Sequence, residues 1–225
     1  MNREKIPAIE WKRLLLELIV VFLGVTAGFL LNNWQMEKQD LRLEEKYMAG
    51  FRQDVHYNID ELKAAISSDS SWLQNAKSKL LPIRDGTITF DSANAIIKQI
   101  ISISKINLQT GTYQDIINSG NLNIINNFKI KKQIVDYHVA ISGVEFVDNY
   151  FYNYFSDIVM PYIFSNFSVL HGRIEDPKII YSVQFANLIA GYFSMVQQRQ
   201  SAYKEMLQKS YDLEGTLKPL HTLEE

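Results

Sequence analysis

Leu14-Leu15-Leu16-Glu17-Leu18-Ile19-Val20-Val21-Phe22-Leu23-Gly24-Val25-Thr26-Ala27-Gly28-Phe29-Leu30-Leu31 is an apolar run interrupted only by Glu17 and bracketed by Trp11 and Trp34. At ~1.5 Å rise per residue these eighteen residues make roughly 27 Å of helix, about the hydrocarbon thickness of a bilayer. Trp11 and Trp34 then fall at the two membrane interfaces, where indole rings are favoured. A cleaved secretory signal is the competing reading, because basic residues precede the run and Val25-Thr26-Ala27 offers small residues to a peptidase. Phe29-Leu30-Leu31 carry the apolar run past that site, so a retained transmembrane helix over 14–34 is expected, after a short flank at 1–13.

Working outward, the chain has 225 residues and 47% hydrophobic content, enough beyond the anchor for one domain with a sizeable core. A net charge of −2, with 23 basic and 25 acidic residues spread along the chain, leaves no basic stripe for nucleic acid. The absence of cysteine removes disulfides, thiolate metal sites and thiol nucleophiles together. Orientation rests on charge. Arg3, Lys5, Lys12 and Arg13 precede the span, whereas Lys38, Arg42 and Lys46 follow it, which by the positive-inside rule puts the N-terminus in the cytoplasm. The expected address is the bacterial inner membrane, single-pass, with the bulk of the chain periplasmic.

Within the span, Glu17, Val21, Gly24, Gly28 and Leu31 recur at three- and four-residue spacing and share one face. Gly24 and Gly28 form a small-xxx-small pair, a packing surface for another membrane helix. Glu17 either snorkels to the interface or pairs on that face.

Downstream, everything reads as helix: an all-α domain over 35–218, an up-and-down bundle of about four to six helices, and a tail at 219–225. Met48, Phe51, Val55, Ile59, Leu62, Ile66, Leu73, Ala76 and Leu80 keep a three-four rhythm, so a long helix continues from the anchor. Gly50 and Ser67-Ser68-Asp69-Ser70-Ser71 are its weak points, with a break expected near Ser68. Pro82 ends it, Asp85-Gly86 turns, and Asp91 caps a helix carrying Ala95, Ile96, Ile97, Ile100 and Ile101. Strand pairing of Thr87-Ile88-Thr89-Phe90 is the minor alternative.

In Thr112-Tyr113-Gln114-Asp115-Ile116-Ile117-Asn118-Ser119-Gly120-Asn121-Leu122, Thr112 and Asp115 make a weak capping box, and Gly120 stands where a short helix needs a left-handed residue. With Asn32-Asn33-Trp34 closing the span, and Tyr113, Ser119-Gly120-Asn121-Leu122 and Ile125 following about eighty residues later, the chain resembles a Bacteroidetes-type family of single-span bacterial membrane proteins. That family carries an Asn-Asn-Trp motif after its N-terminal helix, on a domain of unknown function. The resemblance covers the anchor and the middle of the domain; it implies fold and context and no reaction.

A second long helix runs from Phe128 to about Pro161, which should kink or stop it. Phe146, Tyr150, Phe151, Tyr152, Tyr154 and Phe155 encircle it near its end. Most simply they fill a bundle core; alternatively Tyr150, Phe151, Tyr154 and Phe155 form a partner surface. A third helix starts at Asp176-Pro177 and runs to about 214. Its uncharged stretch Ile179 to Gln198 is long enough to raise a second span. Yet Gln184, Asn187, Gly191, Ser194 and Gln198 align as a polar stripe away from Val183, Ile189, Phe193 and Val196, which fits an amphipathic bundle helix better.

Enzyme chemistry finds no motif. His56, His138, His171 and His221 lack ligand spacing, and no phosphate loop, GxSxG elbow or calcium loop occurs. Glu44-Glu45 and Asp54 with Asp60 read as solvated helix faces, and His138 as a bundle histidine. No catalytic, cofactor-binding or metal site is therefore expected, and no cofactor. The leading expectation is a non-enzymatic, membrane-anchored interaction or scaffold subunit of a membrane assembly, with the lipid bilayer and a membrane protein or a second copy as partners. An extracytoplasmic helical ligand-sensing module acting with a partner is the first alternative. A membrane-tethered enzyme without recognisable motif is the second.

Overall fold

The computed structural model describes residues 11–102 and 105–217, Lys12 by its backbone alone. Arg3, Lys5, Pro219, His221 and the tail 219–225 lie outside the described residues. The architecture is all-α, and the only strands among the described residues are a two-residue pair. The chain divides into two units, Met1–Tyr47 and Met48–Glu225.

Helix α1 (Trp11–Arg84) belongs to both, with 74 residues and no break. In the first unit it is long and apolar enough to cross a membrane, and none of its apolar window is buried. Residues 32–42 are exposed as well, so the division falls at Tyr47 rather than directly after Trp34.

In the second unit α1 buries Phe51, Val55, Ile59, Leu62 and Ala76 of the seam its periodicity predicts, leaves Met48, Ile66, Leu73 and Leu80 half-buried, and buries Ile83 beyond the expected end. The expected break near Ser68 does not form. Ser70 and Ser71 donate their hydroxyls to the carbonyls of Ile66 and Ser67, one turn back in the same helix, so their hydroxyl protons do not compete with the helical ladder. Pro82 does not end α1 either; it sits in the last turn, and its carbonyl accepts from Thr87 and Ile88 as the chain turns through Gly86, whose φ is +66°.

Helix α2 (Phe90–Ile101) buries Ala93, Ile96, Ile97 and Ile100. Its cap is Thr89, whose hydroxyl accepts from Ser92 N–H at 3.3 Å; Asp91, the expected cap, lies in the first turn. Helix α3 (Gly111–Asn118) closes at Gly120 with φ +72°, the left-handed geometry expected there. No side-chain cap comes from within it; the carboxylate of Asp54 on α1 accepts from Thr112 N–H at 3.0 Å instead. Asp54 is thus a structural acceptor rather than part of a solvated face. Thr112 lies so close to α1 that a Cβ on Gly50 would meet its Oγ1 at 2.7 Å.

Helix α4 (Phe128–Tyr154) starts at Asn127, whose side chain accepts from Lys129 and Ile130 N–H. It passes into a π-turn over Phe155–Val159 and then α5 (Met160–Asn166). The π-turn holds Asp157, the carbonyl four residues before Pro161 that the proline ring would otherwise strike, so helical winding continues past Pro161. Strands β1 (Phe167–Ser168) and β2 (Arg173–Ile174) form a hairpin. Asp176 caps a 3₁₀ turn, Pro177–Tyr181, and α6 (Val183–Leu217) begins only after Ser182, whose hydroxyl accepts from Phe185 N–H. The third helix therefore starts later than Asp176-Pro177 suggests. It is no second span: Phe185, Leu188, Ile189, Tyr192 and Val196 are core residues while Gln184, Asn187, Ser194 and Gln198 face solvent.

Helices α4 and α6 pack along each other. A buried knot ties them to α1: Asn58 donates to Tyr137 and to the Gln109 carbonyl, and accepts from Gln109 N–H at 2.6 Å, while Ser210 donates to the Met206 carbonyl beside Tyr137. Every polar atom brought into that contact has a partner, which is what makes its burial tolerable.

Candidate functional site: a buried polar centre and two uncovered faces

The periodicity that makes α1 and α6 amphipathic puts two charges at core positions. Asp69 follows Leu62 by seven residues on α1's buried seam, and Arg199 follows Tyr192 and Val196 on that of α6. Both are about 4% exposed. Arg199 donates from Nε to Asp69 Oδ2 at 3.1 Å and from Nη2 to Oδ1, a two-pronged ion pair between helices. The guanidinium carbon lies 4.2 Å from the centre of the Phe151 ring, a desolvated cation–π contact.

Around this pair, Asp148 of α4 (2% exposed) accepts from the Tyr203 hydroxyl. Gln200 donates to Ser70 Oγ at 2.7 Å. Trp72 meets Tyr192 edge-on at 4.7 Å. Burial raises the pKa of Asp148 above the usual carboxylate range, against the opposing pull of Tyr203 and Arg199. Burial likewise raises Asp69, opposed by Arg199. Burial is the largest influence on Arg199 and draws it down, but the hydrogen bond and charge attraction of Asp69, with smaller contributions from Tyr203 and Tyr192, together outweigh it, so it stays protonated. Burial also pushes the Tyr152 hydroxyl up to about 12.

Three buried atoms here lack a protein partner: Arg199 Nη1, Trp72 Nε1 and the Tyr152 hydroxyl. Arg199 and Trp72 border a partly open cavity of about 50 Å³. Guanidinium and indole N–H groups can only donate. Two of the three partnerless atoms are therefore donors alone, and both belong to residues that border this cavity.

Sequence reasoning did not find this centre. Asp69 reads as one residue of a serine-rich weak point, and Arg199 directly follows the uncharged stretch Ile179 to Gln198; their positions on the two buried seams were the available signal.

Of the residues expected to form a partner surface, Tyr150 is exposed, at 55%. Phe151 is corrected: at 1% exposure it is core, packed edge-on against Tyr192. Tyr154 and Phe155 are half-buried against the core, and Gly191 lets the Tyr154 hydroxyl lie over α6. Tyr150 instead joins Val139 and Phe146 on an outward stripe of α4, beside a groove of about 330 Å³ between α4 and α6.

On α1, Glu17, Val21, Gly24, Gly28 and Leu31 are all exposed, and nothing lies within 4 Å of where a Cβ on either glycine would sit. Arg13 donates to Glu17 at 3.3 Å. Trp11 and Trp34 are exposed, with Lys38 Nζ 3.8 Å from the Trp34 ring centre.

His138 stacks on Tyr113 at 3.8 Å between ring centres, and burial lowers its pKa below the ordinary value. Among the described residues no group of His, Asp or Glu is arranged to hold a metal ion. Comparison of the chain with protein-family models, with curated proteins and with solved structures finds no match.

Proposed function

We propose that this chain is a non-enzymatic, membrane-anchored interaction subunit, held in the bacterial inner membrane by residues 14–34 and working through association with a second membrane protein or a second copy of itself. The observation that carries the reading is the wholly unburied apolar length of α1 with an open glycine face. Lipid suits the apolar side chains, whereas close helix packing suits Gly24 and Gly28. The bulk of the chain lies on the periplasmic side in this reading, which alkaline phosphatase fused after Glu225 tests: activity supports it, and an inactive fusion reverses it.

The association itself is tested by cysteine crosslinking in native membranes, clean because the chain has no cysteine of its own. Gly24→Cys and Gly28→Cys should give disulfide-linked adducts, and Thr26→Cys, on the opposite face, should not. Equal or absent crosslinking at all three positions overturns self-association through this face, and repeated recovery of an isolated monomer from mild detergent overturns association with a second protein.

The donor-lined centre favours a second reading, a ligand-sensing module that acts with a partner. Asp69 stands on the same helix as the apolar anchor, so a ligand beside it acts directly on that helix.

A further inference from the structure

Arg199 spends its Nε and Nη2 on Asp69 and keeps Nη1 unpartnered at about 4% exposure. Leaving a buried charged donor unmade is costly, and the cavity beside it has room for only a few water-sized groups. Trp72 Nε1, also unpartnered, borders the same space. Two partnerless donors, in a cavity whose carboxylate, Asp69, is already engaged by Arg199, favour a ligand that brings lone pairs to them.

Charge narrows the choice. Asp69 and Arg199 neutralise each other, and Asp148 is spoken for by Tyr203. Outside the cavity, a wider groove of about 540 Å³ shares Ser68, Trp72, Gln99 and Ser102 with it and adds Ser71 and Lys98. Lys98 is exposed there, a cation beside a passage between α1 and α2 otherwise lined by hydroxyls, an amide and the Trp72 indole. A positive mouth leading to buried donors suits a small anion.

We infer that the cavity between α1, α2 and α6 is a binding site for a small monocarboxylate of the acetate class, entering past Ser68 and Lys98 and accepting hydrogen bonds from Trp72 Nε1 and Arg199 Nη1. The inference deepens the sensing reading and is independent of the association reading. A carboxylate matches because its two oxygens reach two separate donors, which a single halide does less well.

The test uses the full chain in mild detergent carrying Trp11→Phe and Trp34→Phe, which leaves Trp72 as the single tryptophan of the three. Sodium acetate is titrated against sodium chloride at matched ionic strength while Trp72 emission is followed. A saturable acetate response, absent with chloride and weakened at least tenfold by Ser68→Leu, which plugs the passage from an exposed position, supports the site. No saturable response, the same response to chloride, or one untouched by Ser68→Leu overturns it, the cavity then holding water alone. Thermal melting of Ser68→Leu without acetate verifies that the variant is folded. Sensing is read separately: acetate that binds without altering Gly24→Cys crosslinking leaves the site standing and removes the sensing role.

Discussion

Asp69→Asn keeps the shape of the side chain and removes its charge, leaving Arg199 protonated, about 4% exposed and without a counter-ion. Arginine cannot discard its proton as a buried lysine does, so the whole penalty falls on the folded state. Breaking a buried pair from one side costs about 3–5 kcal/mol, about a fifth or more of the roughly 5–15 kcal/mol by which domains are stable. For a domain of about 150–250 residues each kcal/mol moves Tm by about 2–4 °C, so a drop of about 6–20 °C is expected. The assay is thermal and urea unfolding of the full chain in detergent, followed by far-ultraviolet circular dichroism. Replacing both partners, Asp69→Leu with Arg199→Met, removes the buried charges together and should land within about 1 kcal/mol of the parent or above it. If Asp69→Asn costs less than about 1 kcal/mol, or the double variant loses the sum of the two single losses, the ion pair is not what holds α1 and α6 in register.

Burial raises both carboxyls, but Asp69 is bonded to a cation that its loss would strand, whereas Asp148 is bonded to the neutral Tyr203 hydroxyl, so Asp148 should behave oppositely. A carboxyl whose folded pKa is raised contributes stability that is complete below the unfolded value, about 4, and lost as pH rises through the folded value. Asp148→Asn imitates the protonated form and still accepts from Tyr203, so its Tm advantage over the parent should widen from pH 4 to pH 8; a gap constant with pH contradicts this. Gly50→Ala gains about 1 kcal/mol of helix propensity but drives a methyl into Thr112, whose Oγ1 and Cγ2 both crowd the site at 2.7 and 3.0 Å. Overpacking of about 1–3 kcal/mol should make it net destabilising, with Thr112→Ala restoring stability in the double variant; an increase in Tm for Gly50→Ala alone refutes the close contact.

The long helices were legible because their apolar spacing repeats over many turns: the seam from Phe51 to Ala76 packs inward, and Gln184, Asn187, Ser194 and Gln198 face solvent while Ile189 and Val196 are core, although Gly191 of that stripe lies under Tyr154 and Val183 is exposed. Boundaries were less legible, since they depend on partners distant in sequence. Thr112 looks like part of its own capping box, yet its N–H is satisfied by Asp54, 58 residues earlier. Ser67 to Ser71 looks like a break, but the run is held by hydroxyls bonding one turn back and by Asp69 meeting Arg199. Pro161 looks like a stop, and the π-turn before it absorbs the clash. The polar centre stayed hidden for a similar reason: a charge in an amphipathic helix reads as solvent-facing until the opposing helix brings its counter-ion, here 130 residues away. Phe151 and Tyr150 are neighbours in one aromatic run, and only the packing of α4 on α6 decides that one is core and the other surface.

Membrane fractionation of cells producing the intact chain tests the central claim most directly. The protein should sediment with membranes, resist alkaline carbonate and high salt, and be released by detergent, as expected of an apolar helix of this length embedded in lipid. Recovery of the full-length chain in the soluble fraction after gentle lysis, or its release by carbonate alone, would contradict the account.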